Sequence, residues 1–239
     1  MPKTLNHQEE LIKALKKNPE EAAAYIWALF DEEEPEPELL SLVFHNVGEA
    51  LGELNMSPEA ALLHLQQLDE LLQKQGSDAI YGLAEWLKPL GLELTAAVRY
   101  YRNNSHAYRE KTVENTETEV MRKVSKSYQE ELIHELKENP EEAADYIWAI
   151  LDEEDPEPEL LPSALRDVGE ALGELNMSPE AAKLHLEKLD ELFQKQGSDA
   201  IYGLAEWLKP LGLELTAAVR NNSNNTETNS AETEELVVQ

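Results

Sequence analysis

The stretch QKQGSDAIYGLAEWLKPLGLELTAAVR, Gln73 to Arg99, returns letter for letter at Gln194 to Arg220. Extended in both directions, the match pairs Gln8 to Arg99 with Gln129 to Arg220 at a constant offset, and roughly 75 of about 92 positions are identical. Whatever one half folds into, the other must fold into as well. A unit of about 90 residues buries roughly 60% of its unfolded-chain surface, enough for a small core of its own. The expectation is therefore two domains, residues 8–99 and 129–220, each closed on itself. A polar linker over 100–128 joins them and a tail over 221–239 follows. Two near-identical copies do not fit a solenoid, which needs more repeats and atypical ends.

Each copy is patterned as helix almost throughout, so the fold class is all-α. Leu11, Ile12 and Leu15 form an apolar stripe on a first helix that stops near Lys17. Asn18-Pro19-Glu20-Glu21 reads as a new start: an N-cap, a proline where its missing N–H costs nothing, and an acid placed to reach back. Ala22, Tyr25, Ile26, Leu29 and Phe30 then share one face. The prolines of the acidic run Asp31 to Leu39 break the pattern, and Pro37 opens a third helix with apolar positions Leu39, Leu40, Leu42, Val43, Val47, Ala50, Leu51 and Leu54. Ser57-Pro58 caps a fourth segment rich in leucine, at Leu62, Leu63, Leu65, Leu68, Leu71 and Leu72. Gly76 is expected to end it, and Ser77-Asp78 to cap a fifth helix with its core face at Ile80, Leu83, Ala84 and Leu87. Pro89 and Gly91 close that helix, and LELTAAV alternates weakly, as a short terminal strand would. With two identical faces in one chain, the repeats can pair through that strand or through the leucine-rich fourth segment, or stay apart and bind two partners.

Charge narrows the function. The chain has 49 acidic against 20 basic residues, a net of −29. The first repeat carries about −12, the second about −16, the linker about +2 and the tail about −4. Such a surface repels polyphosphate and suits a basic protein partner or plain solvation. There is no cysteine, which removes disulfides, thiolate metal sites and thiol nucleophiles. The first ten residues lack an apolar core, and no stretch approaches the ~18 apolar residues of a membrane span, so a cytoplasmic protein is expected. The tail, rich in Asn, Thr, Ser and Glu, is expected to be disordered.

No catalytic constellation stands out, and neither a cofactor nor a metal is expected. His64 and His185 lie near acids on their helices, Asp69 and Asp190, but no metalloprotease, phosphate-loop, nucleophile-elbow or calcium-loop spacing is present. The acidic runs from Asp31 and Asp152 lack the glycine turn and alternating oxygens of a calcium loop. Trp27 and Trp86 recur as Trp148 and Trp207. At helical spacing such rings belong to the core, or to a partner interface if exposed. Arg99, Tyr100, Tyr101, Arg102 and Arg109 make the basic-aromatic cluster, a composition able to stack on bases.

The segment NPEEAAAYIWALFDEEEPEPELLSLVFHNVGEALG, then Met56-Ser57, then QKQGSDAIYGLAEWLKPLGLEL, resembles in order and spacing the addiction-module antidote proteins, a helix-turn-helix antitoxin family. The second copy matches over its third helix through Ser163, Ala164, Leu165, Arg166, Asp167, Val168 and Gly169. The resemblance implies a five-helix, helix-turn-helix-like domain in two copies, a toxin as partner, and DNA contacts from a recognition helix. The departure falls on that helix. HLQQLDELLQKQG and HLEKLDELFQKQG stand where the family has a Gly-Leu-Ser turn and a recognition helix, with His64 or His185 in the turn glycine's place. On the family's pattern Gln66, Gln67, Glu187 and Lys188 are the DNA-facing candidates, and the basic-aromatic cluster adds Arg99 and Arg102. Acids at most groove-facing positions oppose that role, although glutamine can read adenine. Two readings follow: an antitoxin-like transcriptional regulator with weak DNA binding, or a non-enzymatic acidic adaptor on the same scaffold that holds a basic partner such as a toxin.

Overall fold

The structure, a computed structural model, describes residues 3–32, 36–99 and 126–220. The first repeat comprises α1 (Lys3–Lys17), α2 (Pro19–Asp31), α3 (Pro37–Asn55), α4 (Pro58–Leu71), α5 (Gly76–Leu87), a 3-10 turn over Lys88–Leu90 and strand β1 (Leu92–Val98). The same order recurs as α6 (Lys126–Glu138), α7 (Pro140–Leu151), α8 (Leu160–Asn176), α9 (Pro179–Leu192), α10 (Gly197–Leu208), a 3-10 turn over Lys209–Leu211 and β2 (Leu213–Val219). Among the described residues the protein is thus mostly helical with one small two-stranded sheet. Most of the linker, 100–125, and the tail expected to be disordered, 221–239, lie outside the described residues. Lys126 to Tyr128, assigned to the linker on sequence, belong to α6.

Capping residues set the helix starts. The Asn18 side chain accepts the Glu20 N–H at 3.3 Å, and that of Asn139 accepts the Glu141 N–H at 3.2 Å, with Pro19 and Pro140 in the first turns. The acid expected to reach back does so in the second repeat by a different route, with Asn139 Nδ2 donating to Glu142 Oε1 at 3.3 Å. Ser57 and Ser178 Oγ accept the Ala60 and Ala181 N–H groups, both at 3.3 Å. Gly91, at φ 76°, ends the turn after α5 by donating to the Lys88 carbonyl.

Gly76 does not end the fourth helix. It opens the fifth at φ 53°, with Gln75 as the flanking residue, and Ser77 is buried in the first turn instead of capping it. The reason is tertiary. The Gly76 N–H donates to the Lys195 carbonyl of the other repeat at 2.9 Å, and the Gly197 N–H donates to the Lys74 carbonyl at 2.8 Å. Gln75 Nε2 reaches the Gln194 carbonyl at 3.0 Å and Gln196 Nε2 the Gln73 carbonyl at 2.7 Å.

The strands form the second seam. β1 and β2 are antiparallel, from Leu92 opposite Val219 to Val98 opposite Leu213, with Thr95 opposite Thr216 at the centre. Because Thr95 and Thr216 are equivalent in the two repeats, as are Gln75 and Gln196, both seams have the register of a pseudo-twofold axis. Leu92, Leu94 and Ala96 and their counterparts Leu213, Leu215 and Ala217 are buried, which is the alternation expected of a strand with one covered face. A two-stranded ribbon is marginal alone. Here α2 of the first repeat covers β2 and α7 of the second covers β1, while α5 packs on α10.

The repeats therefore do not close separately, contrary to the expectation from length. Buried residues of both form one continuous core, from Leu15 through Phe44, Trp86 and Leu94 to Leu136, Trp207 and Leu215. Polar contacts cross between repeats at the helix ends: Lys88 Nζ donates to the Asp152 carbonyl at 3.1 Å and Lys209 Nζ to the Glu32 carbonyl at 3.1 Å, cations placed at the C-termini of α7 and α2 where the helix dipole favours them.

One asymmetry in this core yields a prediction. Gln8 Nε2 donates to Asn46 Oδ1 at 3.2 Å, and the equivalent Gln129 Nε2 donates to Asp167 Oδ1 at 3.0 Å. Burial pushes the Asp167 carboxyl above the ordinary carboxylate value, opposed by the Gln129 hydrogen bond and by Arg166. A raised folded pKa means that the group's contribution is fully present below the unfolded pKa and is lost as pH rises through the folded one. Asp167→Asn, which copies the first repeat, is expected to stabilise the protein at neutral pH by about 1 kcal/mol. In urea titrations across pH, that gain should vanish as pH falls through the carboxylate range.

Candidate interaction faces

α4 continues unbroken through His64 and α9 through His185, so neither helix turns where the family's turn glycine would stand. The reason is visible in the burial. His64, with Ala61, Leu68 and Leu71, forms the inward face of α4, and the imidazole stacks on the Trp86 ring with centroids 4.7 Å apart. Trp86 Nε1–H donates to the His64 carbonyl at 2.9 Å. His185 and Trp207 repeat the arrangement, at 4.7 Å and 3.1 Å. Burial holds both imidazoles below their ordinary pKa, so they are neutral at physiological pH. Asp69 and Asp190 lie on the exposed face and do not meet them.

Trp86 and Trp207 are 5% and 4% exposed, so they belong to the core and offer no ring to a partner. Trp27 and Trp148 are half-buried. Trp148 borders an open cleft of about 710 Å³ with Glu85, Lys88, Asp152, Glu153 and Arg220. The cations there are engaged: Arg220 Nη2 lies 3.1 Å from Asp152 Oδ1, and Lys88 Nζ lies 2.6 Å from Glu85 and 3.4 Å from Asp152.

Of the DNA-facing candidates, Gln66 and Gln67 are exposed on α4, and Glu187 and Lys188 on α9. Arg99 follows β1, where its guanidinium is 2.6 Å from Asp31 and its N–H donates to the Gly212 carbonyl. Arg102, with Tyr100, Tyr101 and Arg109, lies outside the described residues. Among the described residues, no three His, Cys, Asp or Glu side chains gather as a metal site, and no helix is long and apolar enough to cross a membrane.

On sequence Leu42 and Leu54 share the apolar face of the third helix and Leu62 and Leu63 belong to a leucine-rich fourth, and the structure exposes all four. In the second repeat Leu175 and Leu184 are exposed likewise. A signal for two of them was present. Leu42 and Leu62 are replaced at the equivalent positions by Ser163 and Lys183. A position that accepts lysine on the same helix is a surface position.

No protein-family model, no curated protein and no solved structure matches this chain.

Proposed function

We propose that this chain is a non-catalytic, acidic protein-binding module that holds a basic partner and does not read DNA sequence. The observation that carries this reading is the unbroken course of α4 and α9 with their exposed residues. A helix-turn-helix reader inserts a second helix into the major groove and carries cations to the phosphates. Here the exposed face of α4 presents Glu59, Asp69 and Glu70, and α5, the helix after it, is largely buried. A net charge of −29 opposes phosphate at long range and favours association with a basic surface. The resemblance to antidote proteins fits the same reading: an antitoxin that only masks a basic toxin needs no DNA contact. The second reading, a transcriptional regulator, is favoured by exposed Gln66 and Gln67, which have the side-chain chemistry to read adenine.

Fluorescence anisotropy with the protein's own promoter DNA and a random duplex, at low and at moderate salt, separates the two. The expected result is no promoter-specific binding at moderate salt. Binding specific to the promoter that survives moderate salt, and that falls in Gln66→Ala/Gln67→Ala, would overturn the adaptor reading.

A further inference from the structure

We propose that the exposed leucine face of α4, centred on Leu62 and Leu63, is the docking surface for a basic amphipathic helix. The inference rests on the adaptor reading above and names its site and the chemistry of its partner. Leu62 and Leu63 are 61% and 57% exposed, and Leu54, at the last turn of α3, is exposed just before the short turn into α4. The acids Glu59, Asp69 and Glu70 are exposed on the same helix, and its exposed positions include no cation. Among the described residues, no cation pairs with any of the three.

The second repeat supplies the contrast. α9 differs from α4 at only three positions, all exposed: Lys183 for Leu62, Glu187 for Gln66 and Lys188 for Gln67. Arg166, which replaces His45, pairs with Asp190 at 3.2 Å. There Asp190 has a cation partner, Lys183 and Lys188 stand exposed on the same helix, and the leucine pair is reduced to Leu184. Since both helices fold alike, Leu62 is not required for the fold. In the first repeat the apolar patch is larger and, among the described residues, no cation pairs with its acidic rim.

Leucines flanked by carboxylates that pair with no described cation match the pattern by which an amphipathic helix seats its apolar residues and ties its Lys or Arg residues to the rim. α4 is 14 residues long, about 21 Å, so a partner helix of about 14 to 18 residues covers it. The equivalent face of α9, carrying its own lysines, is disfavoured, so one site per chain is expected.

The test uses the full chain and two labelled synthetic peptides of about 18 residues. One places leucine on one helical face and lysine on the other; the second is a scramble of identical composition. At physiological salt the amphipathic peptide should bind at least about tenfold tighter than the scramble. Leu62→Lys and Leu63→Glu should erase that margin, whereas Leu184→Glu should leave it, with the circular dichroism of all variants unchanged. Equal binding of the two peptides would overturn this docking face while leaving the acidic-partner reading standing. Absence of binding by either, even at low salt, would overturn both. Concentration-dependent self-association of the wild type, abolished by Leu63→Glu, would assign the face to a second copy of the chain and overturn the proposal.

Discussion

Trp86→Ala should lower the stability of the whole chain by about 3–5 kcal/mol, a large share of the 5–15 kcal/mol that a folded domain possesses. The ring is buried, meets Phe44 edge-on at 5.8 Å, stacks on His64 and donates its N–H to the His64 carbonyl. Its loss leaves a cavity between α3, α4 and α5 that their backbones cannot collapse to fill. The shape of the result matters as much as its size. Because the buried residues of both repeats form one core and each strand is covered by a helix of the other repeat, the entire urea transition should shift as one. Two transitions, with only half the signal displaced, would show that the repeats unfold independently. Trp207→Ala should cost less, near the lower end of that range, because Leu165 stands where the first repeat has Phe44.

Gly197→Ala should cost roughly 2–4 kcal/mol. Gly197 has φ 49°, a backbone conformation that side chains resist, and a Cβ added there would strike the backbone carbonyl of Leu72 in the other repeat. A backbone oxygen cannot rotate away, so the seam itself must open and the Gly197 N–H to Lys74 carbonyl bond at 2.8 Å weakens with it. Gly91→Ala is the control. Gly91 has φ 76° but nothing within 4 Å of an added Cβ, so it should show only the conformational cost of about 1 kcal/mol. Comparison of the urea midpoints isolates the contact between repeats. Equal losses at the two positions would mean that the Gln75–Gln196 seam contributes nothing.

These two effects mark what was legible and what was not. Asn18-Pro19 and Ser57-Pro58 announce helix starts because capping is a local transaction between a side chain and N–H groups two or three residues away. The inward faces of α2 and α5 follow from 3.6-residue spacing. Leucine content alone could not assign the faces of α4, since a leucine-rich helix has more apolar residues than its inward stripe can hold. Leu68 and Leu71 went inward with His64, leaving Leu62 and Leu63 outside. Comparison of the two copies carried part of the answer, in Lys183. The role of Gly76 was misread because its positive φ serves a bond to Lys195, a residue distant in the chain.

By itself the sequence determined that two equivalent sets of helices and a strand form, that the chain is strongly acidic, and where most helices begin. Periodicity, caps and charge are properties of short stretches. Only the tertiary structure decided that the two sets share one core, that β1 lies against β2 beneath α7 and α2, and that α4 runs unbroken with Leu62 and Leu63 outside. Those outcomes depend on which surface buries which. A strand with one apolar face takes whatever complementary edge and helix its neighbours offer, and here the other repeat offered both.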